Sequence, residues 1–154
     1  MDLGQNLNSE SAQNAGVLSP LCVGPQTPVR EVLALLKRSR RGELLVCRDD
    51  HLVGIFTERD ALRLLATRQD LDVPVEQFMA SDPVTISAKD TVGTAVSRMS
   101  ANGYRRLPIV DASGRPVGLV NVAGVIHWLV EHFPQAVYNL PPTPNPTTQE
   151  REGP

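Results

Sequence analysis

Residues 54–60 read GIFTERD and set a hydroxyl and a carboxylate, Thr57 and Asp60, three positions apart where a β-rich run passes into a helical one. A short carboxylate at a helix start can accept hydrogen bonds from both hydroxyls of a ribose. A threonine hydroxyl beside helix N-terminal amides favours a phosphate. The same spacing also makes a capping box, in which the hydroxyl accepts from a backbone amide and the carboxylate reaches back to the chain. Helix cap and ligand grip are both open readings of this pair.

Two basic clusters, Arg38-Ser39-Arg40-Arg41 and Arg105-Arg106, fall at matching points of the chain. His51, His127 and His132 make no metal set, because the last two are five apart and do not share a helical face. Cys22 and Cys47 each lie in an apolar run far from any second cysteine, which fits buried free thiols rather than a disulfide framework or a zinc site. No G-x-S-x-G elbow, P-loop or G-x-G-x-x-G occurs, and no Ser, His and acid order implies a nucleophile. An enzyme is not expected.

The elements that must position these groups come from a chain of 154 residues, 41% apolar, enough for one real core. A net charge of −2 and a pI near 5.9 argue against general nucleic-acid binding, which needs a clustered positive field. No apolar run approaches a membrane span, and the N-terminus has neither a basic nor an apolar leader region. A cytoplasmic protein with no membrane partner is expected. Residues 1–16 are rich in Asn, Ser, Gln and Gly, and Pro141–Pro154 holds five prolines. Both ends, 1–16 as an arm and 134–154 as a tail, are expected to be disordered for want of apolar surface.

Between them the chain states one pattern twice. Pro20, Val29, Val32, Leu33 and Leu36 recur 63 residues later as Pro83, Val92, Ala95, Val96 and Met99, carrying the i, i+3, i+4, i+7 stripe of an amphipathic helix. One extra residue then shifts the offset to 64, so that Val46, Val53, Gly54 and Leu65 match Val110, Val117, Gly118 and Leu129. Each unit reads β-α-β-β-α, residues 17–67 and 80–133, joined by a linker at 68–79. The predicted strands are 21–23, 44–48 and 51–56, then 84–87, 106–111 and 116–121. The predicted helices are 28–38, 58–67, 92–101 and 122–132. Units of this size are marginal alone, so an α/β (α+β) fold of two repeats packed by a pseudo-two-fold axis follows. The final helix of each unit is apolar over more of its circumference than one core face needs, which predicts a homodimer.

The phrases TPVREV, ELLVCRDDHLVGIFTERD, FMASDPVTI and YRRLPIVDASGRPVGLVN, in this order and doubled, resemble a tandem cystathionine-β-synthase (CBS) domain pair over residues 18–133. The closing LVEHFPQAVYNLPP is similar to the end of small standalone bacterial proteins built from such a pair. The resemblance implies a regulatory module, not a catalyst, with clefts between the repeats for AMP, ADP or ATP, with S-adenosylmethionine or NAD(H) ranked behind. No cofactor is required, and a regulated protein partner is implied without being named.

By position, the resemblance assigns Thr57 and Asp60 to ribose and phosphate, and Arg40 and Arg41 to phosphate. It assigns Val84, Thr85, Tyr104, Arg105, Arg106 and Pro108 to the base pocket. In the second repeat GLVNVAG sets Asn121 and Gly124 where the hydroxyl and carboxylate belong, so one competent cleft is expected. The base side of the other cleft would fall around Leu21, Cys22 and Arg41–Glu43. The competing reading is a ligand-free dimeric scaffold with vestigial clefts.

Overall fold

The structure, a computed structural model, describes residues 3–135; the proline-rich tail beyond lies outside the described residues. In chain order the elements are α1 (Leu3–Ser9), β1 (Cys22–Val23), α2 (Val29–Ser39), β2 (Glu43–Arg48), β3 (His51–Thr57), α3 (Glu58–Ala66), β4 (Ala80–Ser81), β5 (Ile86–Ser87), α4 (Val92–Asn102), β6 (Arg106–Val110), β7 (Pro116–Asn121) and α5 (Val122–His132). One sheet runs β1-β2-β3-β4 and the other β5-β6-β7. In each, a parallel pair precedes an antiparallel hairpin, as the doubled β-α-β-β-α pattern requires. Among the described residues no helix is long and apolar enough to cross a membrane.

Each repeat has its own core. Val29, Val32 and Leu36 of α2 meet Leu44, Val46, Phe56 and Leu64. The twin residues Val92, Ala95 and Met99 of α4 meet Leu107, Ile109, Val120, Val125 and Trp128. The i, i+3, i+7 spacing of each triplet puts it on one helical face, which is why the two stripes are legible as helices. Asp49 and Asp50 turn the first hairpin with φ of 50° and 64°, the two positive values that a tight two-residue turn needs.

The register corrects where the extra residue falls. Val46 pairs with Gly54 and Ile109 with Gly118, so Val46 answers to Ile109 and not to Val110. The offset of 63 therefore persists through the central strands. The additional residue lies in the longer Asp111–Arg115 turn, where an insertion disturbs no ladder.

The expectation of a disordered N-terminal arm is overturned. Leu3–Ser9 is helical, Ala12 and Ala15 are fully buried, and both belong to the second core together with the partly buried Leu7. The segment is the twin of the linker. The 3-10 turns Ala12–Asn14 and Val75–Gln77 lie 63 residues apart. The amide of Ala12 donates to Asp90 O at 2.9 Å as that of Val75 donates to Thr27 O at 2.8 Å. Val92 N–H donates to Glu10 O at 2.9 Å as Val29 N–H donates to Val73 O at 3.0 Å. The residues read as a linker thus close the first core through buried Val75, and those read as an arm close the second. Their polar composition hides this because main-chain bonds do the holding.

Candidate functional site

The first hairpin delivers Thr57 to the mouth of α3, and β4 crosses from the linker to pair Ala80 with Ile55. That pairing draws Ala80–Val84 over the hairpin, opposite the loop that leads from α4 into β6. Between the two walls is a cleft of about 740 Å³, within the usual range of small-molecule sites. One wall carries Ile55, Thr57, Glu58, Arg59, Asp60 and Leu62, and the other carries Tyr104, Arg105, Arg106 and Pro108. Val84 also lines the space.

Asp60 caps its own helix here: its Oδ2 accepts from the Thr57 amide at 3.0 Å and from the Thr57 hydroxyl at 3.3 Å. No described residue donates to Oδ1, so the half-buried carboxylate keeps acceptor capacity toward the open cleft. Cap and ligand grip therefore do not exclude each other. Tyr104 is 47% exposed at the opposite wall, with a ring face free to cover a planar group.

Arg106 spans the repeats. Its Nε donates to Glu43 Oε2 at 2.9 Å, and Arg41 Nε donates to Oε1 of the same carboxylate at 3.1 Å. Glu43 is 4% exposed, and a buried charge of this kind is stable only when paired and fully hydrogen-bonded. Glu43 and Arg106 are twins, the first residues of β2 and β6, so they meet where the repeats face each other.

Of the ten residues assigned from sequence, seven line this cleft: Thr57, Asp60, Val84, Tyr104, Arg105, Arg106 and Pro108. Three do not. Arg40 is exposed and closes α2 in the left-handed conformation, φ 53°. Arg41 is held by Glu43 and by Ser19 O, at 3.0 Å from its Nη1. The Thr85 carbonyl accepts from Arg98 Nη1 at 2.7 Å, outside the lining. The sequence leaves open whether Glu58 and Arg59 face the ligand or solvent, and it gives no sign of Asp82; all three line the cleft. Glu58 and Arg59 sit within GIFTERD, but Asp82 arrives through a two-residue strand too short to show a pattern.

The CBS domain profile matches residues 17–67 and 75–131. The chain belongs to the CBS domain family, as a pair of repeats. One relative, an uncharacterized 17.7 kDa protein of Acidianus ambivalens, is 32% identical over 110 residues, 71% of this chain and 66% of that protein. The chain spans 25% and 22% of two longer curated relatives. Among solved structures, an uncharacterized conserved protein from Pyrococcus horikoshii superimposes with TM-score 0.71 at 25% identity, over 82% of this chain and 93% of that one. The CBS domain protein PAE2072 from Pyrobaculum aerophilum, complexed with AMP, gives TM-score 0.70 at 25% identity, over 79% and 98%.

The pair is asymmetric at its second cleft. Asn121 Oδ1 caps α5 by accepting from Gly124 N–H at 2.6 Å, so the cap survives without the acid. Gly124, the twin of Asp60, lies directly beneath the N-terminal segment: a Cβ there would stand 2.8 Å from Gly16 O. A Cβ on Gly16, whose φ is +65°, would stand 2.9 Å from Gly124 O. Two glycines permit this backbone approach.

The expectation for the cysteines is corrected as well. Cys22 is exposed and Cys47 half-buried, and the two free thiols come from the paired β1 and β2, near enough to influence each other's ionisation. Among the described residues no group of His, Cys, Asp or Glu can hold a metal ion.

Proposed function

We propose that this CBS pair is a regulatory, non-catalytic module that binds one adenosine-containing ligand per chain in the cleft between Asp60 and Tyr104. The observation that carries the reading is an open space between a ribose-competent carboxylate and an aromatic face on opposite repeats. The AMP complex of PAE2072, a pair of the same fold at 25% identity, supports the ligand class. In this arrangement Asp60 Oδ1 accepts from the ribose hydroxyls, Tyr104 covers the base and Arg105 meets the 5′ substituent. Because the walls belong to different repeats, occupancy changes how the repeats pack, and a partner protein reads that change.

We also propose a homodimer through α3 and α5. Leu62 and Ile126 are twin positions, 68% and 55% exposed, and Leu65 and Val122 on the same two helices are exposed as well. A monomeric mass by sedimentation at micromolar concentration would contradict the dimer.

A thermal-shift panel of AMP, ADP, ATP, S-adenosylmethionine and NADH tests the ligand. At 100 times its dissociation constant a ligand stabilises the fold by about 2.7 kcal/mol. Failure of every compound to raise the melting temperature would leave the ligand-free scaffold as the better account.

A further inference from the structure

The charges around the cleft set a limit on the ligand, and this inference rests on the adenosine reading above. Three carboxylates line the space, Glu58, Asp60 and Asp82, against three guanidiniums, Arg59, Arg105 and Arg106. Arg106 is already committed, since its Nε bonds the buried Glu43 at 2.9 Å. Glu58 stands close by: a Cβ on Gly42 would lie 2.8 Å from Glu58 Oε1 and 3.1 Å from Arg106 Nη2, so the absent side chain of Gly42 leaves room for both groups. The amino end of α3 offers no spare field, because Glu58 and Asp60 occupy its first turn and Asp60 already takes the Thr57 amide. Arg41, the nearest further cation of the central cluster, is bound to Glu43 and Ser19 O.

The cleft thus has no positive surplus for a chain of phosphates. Each added phosphate brings charge that Arg59 and Arg105 would have to answer alone, against Glu58 and Asp82. We infer that this cleft selects adenosine with a short 5′ substituent carrying no more than one phosphate, and rejects the triphosphate by charge.

The test is calorimetric titration of the full chain with adenosine, AMP, ADP and ATP, in chelator and without magnesium, at two salt concentrations. The expected result is AMP binding at least tenfold tighter than ATP, with the gap narrowing as salt rises. In the double variant Glu58→Gln with Asp82→Asn, ATP should gain at least fivefold on AMP. If ATP binds the wild type as tightly as AMP, the selectivity is overturned while the adenosine reading stands; an unchanged AMP-to-ATP ratio in the double variant overturns it equally. Binding of none of the four removes the adenosine reading and the selectivity with it.

Discussion

Asp60 has two tasks that can be separated by energy. As a cap it satisfies the Thr57 amide, and removing such a cap costs about 1 kcal/mol. Asp60→Ala is therefore expected to lower the ligand-free stability by about that amount in urea unfolding, and a loss above about 3 kcal/mol would show that the residue does something else in the fold. The cysteines behave differently. Burial first, and then the neighbouring Cys22 thiol, push Cys47 up to about 12; Cys22, exposed as a residue, is raised by the partial burial of its sulfur. Both are held as thiols at neutral pH, and only the thiolate attacks. Alkylation of the native protein by iodoacetamide should be slow at about pH 7.5 and still climbing at about pH 9, read by mass spectrometry. Because the folded thiols keep their protons more tightly than unfolded ones, their share of stability is present below the ordinary value of 9.0 and is lost as pH rises from there. Rapid labelling of Cys47 at neutral pH would contradict this. GIFTERD was readable because hydroxyl, acid and helix start are local in sequence. The destination of Arg41 and the approach of Cys22 to Cys47 were not, since Ser19 O and the second thiol come from segments more than twenty residues away in sequence.

At the level of elements, the two amphipathic stripes and both hairpins were legible because burial on one face writes a period into the sequence. The segments that lead into each repeat were not. The turns Ala12–Asn14 and Val75–Gln77 are held mainly by backbone bonds, which leave no trace in composition. The repeat in fact begins upstream of the point where side-chain patterning starts. Removing residues 1–16 should expose the face of the second core now covered by Ala12, Ala15 and Leu7. Burial of that order is worth roughly 2–4 kcal/mol. Urea unfolding of the truncated chain measures it, and an unchanged midpoint and slope would restore the disordered arm. Gly124→Asp tests the same contact from the other side. The acid restores the sequence pattern but collides with Gly16 O, so the variant should lose about 1–3 kcal/mol and gain no second site. A second binding event in that variant would mean that the segment yields its place.

For the whole molecule, the junction of the two repeats includes one buried carboxylate shared between two guanidiniums, beside main-chain bonds such as Leu52 N–H to Gly114 O. Glu43→Ala would leave Arg41 and Arg106 facing each other with no anion between them. Breaking a buried pair of this kind costs on the order of 3 kcal/mol. Arg106 also lines the cleft, so the variant should alter ligand affinity as well as stability; a stability loss with AMP affinity unchanged would separate the axis from the site. The pseudo-two-fold arrangement was visible as a repeat, whereas the charge reversal that makes it asymmetric, Glu against Arg at twin positions, acquires meaning only once the strands face each other. The proposed single site has a different origin, Gly124, which stands where the first repeat has Asp60 and lies against Gly16. The most direct measurement is calorimetric titration of AMP into the wild-type chain and into Asp60→Ala. The account predicts one site per chain in the wild type and at least a tenfold loss of affinity in the variant. Absence of binding in the wild type, or equal affinity in the two proteins, would contradict it.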